Sequence, residues 1–128
     1  MRESARGALA TPLGGSPMLR MASVPLPCPD GSTAAHCHFR DEVTRIFGGY
    51  TAVPMCGGWR DPQTGICYHE PGILYWIAMQ PGAVADLDLD AIAVKAAEAM
   101  QQQSVLIQHA SGDVVILDCN ELAERDVS

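Results

Sequence analysis

The stretch from Phe47 to Pro71 leaves this chain few ways to fold. It reads Phe-Gly-Gly-Tyr-Thr, then Gly-Gly-Trp-Arg-Asp-Pro-Gln-Thr-Gly, then Ile-Cys-Tyr-His-Glu-Pro. Gly48 is placed to take the left-handed conformation that ends a helix. Asp61-Pro62-Gln63-Thr64-Gly65 is turn chemistry, with proline fixing one dihedral and Gly65 free to take positive φ. A helix exit followed by a hairpin is thus written into consecutive residues, and the elements on either side must fit around it.

Those elements are legible from periodicity. Leu19 to Leu26 alternates loosely and reads as a first strand, short or at an edge because Pro25, Pro27 and Pro29 limit its ladder. Asp30-Gly31 is a turn, and Ser32 or Thr33 caps a helix running to Phe47. Ala35, Phe39, Val43, Ile46 and Phe47 form its apolar stripe. Tyr50 to Met55 is a strand candidate interrupted by Pro54, and Ile66 to Glu70 is the returning strand. Pro71-Gly72 breaks it, and Ile73 to Met79 follows as a strongly apolar strand, central and buried on both faces. Asp86, Asp88 and Asp90 suit a helix N-terminus, and Leu89, Ile92, Ala96 and Met100 make a narrow stripe behind them. Val105 to His109 and Val114 to Leu117, joined at Ala110-Ser111-Gly112-Asp113, form a final hairpin.

Strand, helix, hairpin with a long central strand, helix, hairpin is the order of an α+β two-layer sandwich of the ferredoxin-like kind. It implies an antiparallel sheet with two helices on one face. The expected organisation is a flexible N-terminal extension over 1–18, a single α+β domain over 19–119 and a polar C-terminal tail over 120–128. Such a layer leaves one sheet face open, and an open apolar face pairs with another subunit, so a homo-oligomer, a dimer by default, is expected.

Charge narrows the partners. Residues 1–60 carry six Arg against four acids, and residues 61–128 carry Lys95 and Arg125 against eleven acids, for a net charge of −7. An acidic chain without a basic run argues against general nucleic-acid binding. The first half could still supply a local Arg site for an anion. No apolar run reaches transmembrane length. Five cysteines at irregular spacing, with no secretory leader, read as free thiols in a reducing, cytoplasmic compartment.

Three constellations could carry chemistry. His36-Cys37-His38 resembles a metal site, but on a helix His36 and His38 diverge by about 200°, His36 on the apolar stripe and His38 at its flank; only a later helix start would point both imidazoles the same way, and the expected reading is surface or boundary histidines. Cys67 and His69 share a strand face and, with Cys56, suggest zinc. If Arg60 pairs with Ile66 across the turn, however, Cys56 falls on the other face, so no metal site is expected. Cys67 with His69 or His109 is the thiol–imidazole pairing to consider. The third constellation is Trp59, Arg60, Tyr68 and His69 beside Gly57 and Gly58. Aromatics stack on flat groups, Arg offers a planar fork for phosphate or carboxylate, and glycine lets a ligand approach the backbone. The alternative is that Trp59 and Tyr68 are a cross-strand pair holding the hairpin.

Phe47-Gly48-Gly49-Tyr50-Thr51, Gly58-Trp59-Arg60-Asp61-Pro62, Thr64-Gly65 and Glu70-Pro71 together resemble a signature of small uncharacterised bacterial and bacteriophage proteins. In these a helix ends in Phe-Gly-Gly, a Gly-x-Trp hairpin follows and a Glu-Pro step leads into an apolar strand. The resemblance spans roughly residues 35 to 80. It implies the helix–hairpin–strand order and a small α+β domain, and brings no established activity or catalytic residue. By analogy with phage proteins it makes a counter-defence role conceivable, including sequestration of a nucleotide signal.

The functional expectation is a non-enzymatic binding module for a small anionic, nucleotide-like ligand or a protein partner. Its ligand-binding residues are Gly57, Gly58, Trp59, Arg60, Tyr68 and His69, with no catalytic residue, metal or cofactor. One alternative is a small metal- or thiol-dependent enzyme using His69, Cys67 and Glu70 or His36. The other is a structural subunit of a larger assembly.

Overall fold

The structure, a computed structural model, describes residues 18–119. Apart from Met18, the expected N-terminal extension lies outside the described residues, as does the C-terminal tail. The elements run β1 (Arg20–Pro27), α1 (Thr33–Phe47), β2 (Thr51–Arg60), β3 (Cys67–Met79), α2 (Ala83–Ala99), β4 (Ser104–Gln108) and β5 (Val114–Asp118). The five strands form one antiparallel sheet in the order β2-β3-β1-β4-β5, with both helices packed on it. This is the α+β arrangement the sequence pattern predicts.

The core lies between the helices and one face of the sheet. Ala22, Val24 and Leu26 of β1, Tyr75, Ile77 and Met79 of β3 and Val105 and Ile107 of β4 meet Phe39 and Val43 of α1. Against them also pack Leu89, Ile92, Ala93, Ala96 and Ala97 of α2. The two-residue period of a strand explains the choice, because alternate residues on each strand are buried. Gly48 ends α1 at φ 96°, its N–H bonded to the Thr44 carbonyl.

Proline placement differs from expectation in three ways. β1 is neither short nor at an edge, since it pairs with β3 over all eight residues. Cys28 N–H donates to the Pro71 carbonyl at 3.0 Å. By alternation Val24 and Leu26 therefore face β3, while Pro25 turns its missing N–H toward β4. There the ladder holds at Ser23↔Gln108 and stops. β2 runs unbroken through Pro54, which an edge strand tolerates. β3 passes through Pro71 and Gly72 without a break. Pro71 spends its carbonyl on Cys28, so its absent donor faces a ladder that is already ending.

β3 is central but not buried on both faces. Tyr75, Ile77 and Met79 are buried under the helices, while Leu74 and Trp76 are half-buried and Ala78 exposed on the other side. The register places Met21, Val53, Met55, Trp59 and Leu106 on this open face as well, with Val114 and Ile116 of the edge strand. No helix among the described residues is long and apolar enough to cross a membrane.

Candidate functional site

β2 and β3 carry all six residues nominated from the sequence, and the ladder divides them between two faces. Gly57↔Glu70 and Trp59↔Tyr68 lie on the open face; Gly58↔His69 and Arg60↔Cys67 lie on the helix side. The register differs by one from an Arg60–Ile66 pairing. Asp61 closes the turn instead, its N–H donating to the Ile66 carbonyl while its carboxylate accepts from the N–H of Gln63 at 2.8 Å. Neither helix covers this end of the hairpin, for Gly58, Arg60 and His69 are exposed. Trp59 and Tyr68 stack with centroids 4.7 Å apart and planes 20° apart. The His69 ring lies over Gly58, its Nδ1 3.2 Å from where a Cβ would stand. The Arg60 guanidinium folds back toward Gly65. Trp59, Tyr68 and Gly57 thus share one face, and Arg60 and His69 lie on the other; Gly57, Gly58 and Trp59 line the cavity described next, and Tyr68 reaches it only through its stack on Trp59.

A cavity of about 440 Å³ opens beside the first group. Its walls are Pro25 and Pro27 of β1, Ser104 and Leu106 of β4, and Met55, Gly57 and Trp59 of β2, with Gln102 and Ala97 at the closing end. It exists because β1 and β4 stop pairing after Ser23↔Gln108. Gly72, deep in the sheet beside it, is there by necessity, since a Cβ would stand 2.6 Å from the Leu26 carbonyl oxygen. Among the described residues, Glu70 is the only ionisable side chain lining the cavity. A unit charge about 4 Å from a carboxylate gains roughly 4 kcal/mol near a protein surface if positive, and loses as much if negative. The cavity therefore favours a cation. Arg60, which was expected to hold an anion, lies on the other face of the sheet.

A second cavity, of about 600 Å³, lies between the end of β3 and the start of α2, with Asp88 at its rim. Its one aromatic, Phe47, is half-buried against the core.

Behind the first cavity runs a buried polar chain. His36 is 4% exposed, on the apolar stripe as its helical position predicts and not a surface or boundary residue, with Ala35 half-buried beside it. Its Nε2 lies 2.8 Å from the Pro27 carbonyl and its Nδ1 2.7 Å from the Tyr75 hydroxyl. A carbonyl only accepts, so Nε2 carries the proton, and the Tyr75 hydroxyl donates to Nδ1. Tyr75 in turn accepts from Arg40 Nε at 3.0 Å. The guanidinium rests over the rings of Tyr50 and Tyr75. Burial pushes the Tyr75 phenol above its ordinary range, with Arg40 pulling the other way, and the same hydrogen bond raises Arg40. The sequence signal was available: a histidine one turn ahead of Phe39 on the helix's inner face.

The residues of the metal- or thiol-dependent alternative do not converge. Cys67 and His69 are on the helix side, Glu70 on the open face, and His36 is engaged with Pro27. Among the described residues no three His, Cys, Asp or Glu side chains are arranged to hold a metal ion. His109 does not approach Cys67; it bonds Asp90 at 2.8 Å and lies 3.8 Å from Asp86. Cys28 Sγ is 3.6 Å from His36 Nε2, but that nitrogen is already a donor to Pro27 and cannot serve the thiol as a base.

No protein-family model matches the chain, and no curated protein matches it. Two solved structures share its fold. One is a phage SAM lyase in complex with S-methyl-5'-thioadenosine, with a TM-score of 0.60 and 19% identity over 86% of this chain and 95% of that one. The other is a phage SAM lyase in the apo state, with a TM-score of 0.58, 20% identity and the same coverage. The fold is thus one that phage proteins share. The expectation of a non-enzymatic module is corrected here: the solved structures that share this architecture are of an enzyme, which favours the enzymatic alternative.

Proposed function

We propose that this chain is a lyase acting on S-adenosylmethionine and releasing S-methyl-5'-thioadenosine. The observation that carries the reading is the cavity beside Trp59, mostly apolar with Glu70 as its one ionisable side chain among the described residues, on a fold shared with a phage SAM lyase. S-adenosylmethionine is a nucleoside with a cationic sulfur. Its adenine needs a flat apolar surface, which Trp59 supplies, and its positive centre needs a carboxylate, which Glu70 supplies. A volume of about 440 Å³ is within the usual range for a ligand of this size. The nucleotide-like part of the sequence expectation survives in this reading, but its sign reverses from anionic to cationic.

Forming S-methyl-5'-thioadenosine breaks the bond between sulfur and the aminocarboxypropyl arm, and the electron pair returns to sulfur. A lyase does this without water, so the departing carbon is satisfied from within the substrate. Either the arm's own carboxylate closes on it, or the neighbouring carbon loses a proton. Ring closure asks for no protein base, which suits a cavity whose one ionisable group is Glu70. It also neutralises charge, and a water-poor apolar wall favours a step that does so. In this reading Glu70 holds the cationic substrate and the cavity folds its arm.

The test is incubation with S-adenosylmethionine and quantification of S-methyl-5'-thioadenosine by mass spectrometry, with S-adenosylhomocysteine, whose sulfur is a neutral thioether, as the control. Glu70→Gln should lower kcat/KM by roughly two orders of magnitude, within the electrostatic limit of a carboxylate–cation contact. Product formation no faster than in buffer would refute the reaction. Equal turnover by Glu70→Gln would refute the site. Self-association belongs to the same reading, since Met21, Val53, Leu106, Val114 and Ile116 expose apolar surface on the open face. Native mass spectrometry should then give multiples of the 13.6 kDa chain.

A further inference from the structure

We infer that His36, Tyr75 and Arg40 are positioning residues that hold the substrate cavity open through the carbonyl of Pro27. The inference rests on the proposed reaction for its substrate, but its geometry stands apart from it. On a continuing β1–β4 ladder the carbonyl of Pro27 would face β4 near Ser104. It is instead taken by His36 Nε2 at 2.8 Å, from the helix layer. His36 is set in turn by the Tyr75 hydroxyl at 2.7 Å, and Tyr75 by Arg40 Nε at 3.0 Å. Each member has one compatible role: Arg40 donates, Tyr75 accepts and donates, His36 accepts and donates, and Pro27 accepts.

The placement of these groups is hard to explain by packing alone. Burying an imidazole and a phenol is costly unless every polar atom is partnered, and a leucine and a phenylalanine would fill a core without that requirement. The chain of hydrogen bonds ends on a residue that lines the cavity, at the point where β1 and β4 have parted. Phe39 and Tyr50 pack on the Tyr75 ring, at 4.8 and 5.7 Å between centroids, so the hydroxyl has little freedom to swing away. None of the three side chains lines the cavity; they act on it only by fixing its β1 wall.

Tyr75→Phe tests this, because phenylalanine keeps the ring and removes the link between Arg40 and His36. Losing one buried hydrogen bond should raise KM for S-adenosylmethionine, and weaken S-methyl-5'-thioadenosine binding by calorimetry, by about 3- to 10-fold. The turnover number should stay within about twofold, since ground state and transition state lose the same wall. His36→Gln, which retains a donor, should fall between wild type and Tyr75→Phe. A ligand-free readout separates this inference from the reaction it rests on. In amide and indole NMR spectra, Tyr75→Phe should shift Ser104, Leu106 and Trp59 across the cavity as well as its own neighbours. If those shifts stay confined to α1 and β3, or if both variants bind and turn over as wild type does, the positioning role is overturned. If they cross the cavity while wild type binds no S-methyl-5'-thioadenosine, the inference holds and the substrate assignment fails.

Discussion

Replacing Gly72 with alanine should cost this small protein a large part of its stability, and the size of the loss follows from three contacts. The new Cβ would stand 2.6 Å from the Leu26 carbonyl oxygen, 3.3 Å from its carbonyl carbon and 2.8 Å from Met55 Cε. Met55 is half-buried and flexible and can turn aside. Leu26 cannot, because it sits inside the β1–β3 ladder, opposite Ile73 and one residue from the Pro27↔Gly72 pair. Restoring ordinary contact means prising the end of β1 away by the better part of an ångström. Overpacking of this kind costs about 1–3 kcal/mol, and loss of the Cys28 N–H to Pro71 hydrogen bond adds about 1 kcal/mol. A total of roughly 2–4 kcal/mol is a large share of the 5–15 kcal/mol typical of such a domain. It corresponds to a fall in Tm of roughly 10–20 °C. The matched control is Gly57→Ala, whose Cβ meets nothing closer than 4.0 Å and which should be neutral or slightly stabilising. Urea denaturation followed by tryptophan fluorescence gives both values. Equal midpoints for the two variants would show that close approach of backbone is not why glycine occupies position 72.

Stability should hold to about pH 9 and then decline. Cys119 and Tyr75 are both raised by burial from ordinary values of 9.0 and 10.0. The folded state binds those protons more tightly than the unfolded one, and its advantage is lost as pH climbs through the raised values. Thermal melts from pH 8 to 11 check the sign, and Tyr75→Phe should flatten the upper part of the decline. His109→Ala should cost about 1.5–3 kcal/mol, because it strands the Asp90 carboxylate that His109 bonds at 2.8 Å. Amide exchange should then quicken first at the β4–β5 turn. Trp59→Ala should weaken S-methyl-5'-thioadenosine binding by at least tenfold while lowering stability by only about 0.5–1.5 kcal/mol, the worth of an aromatic pair. Calorimetry beside a denaturation curve measures both.

Much of the fold was legible because it rests on local rules. The left-handed Gly48, the Asp61–Gly65 turn and the final hairpin are short-range chemistry, and the structure shows each; of the α1 stripe it buries Phe39 and Val43 fully, Ala35 and Phe47 partly, and leaves Ile46 exposed. The readings of Pro54 and Pro71 as breaks failed for one shared reason, whereas Pro25 does limit the β1–β4 ladder. A proline disrupts a ladder only on the side where its N–H would have pointed, and that side is set by tertiary pairing, which sequence does not display. Pro54 lies on an edge strand and Pro71 at the end of a ladder, so neither breaks anything. The candidate site was half legible. Gly57, Trp59 and Tyr68 were nominated because aromatic and glycine residues are conspicuous, and of these Gly57 and Trp59 line the cavity. Their separation from Arg60 and His69 follows from strand alternation, which sets neighbours on opposite faces, and the register decides only that Tyr68 and not His69 joins Trp59. Glu70 was read for its place in a resemblance and as a member of the enzymatic alternative. Its role as the lone charge in an apolar cavity needed the gap between β1 and β4 to be seen first.

That gap traces to Pro25, which makes it testable. Opposite Ser23↔Gln108 the two strands are paired, and the next position along would set Pro25 against Leu106. Valine at 25 would supply the missing donor and has a high preference for strands. The new ladder bond should add about 1 kcal/mol, and the greater freedom of the unfolded chain should remove about 0.4–1 kcal/mol, so stability should hardly change. The cavity should nevertheless narrow as β4 is drawn toward β1, and S-methyl-5'-thioadenosine binding should fall well beyond tenfold. A loss of binding at constant stability is not what general damage to the fold produces. It is the signature of a site that exists because a proline keeps two strands from closing. Pro25→Val protein that binds as tightly as wild type would mean that the cleft is held apart by something other than the missing N–H. The His36–Pro27 contact would then be the next constraint to release.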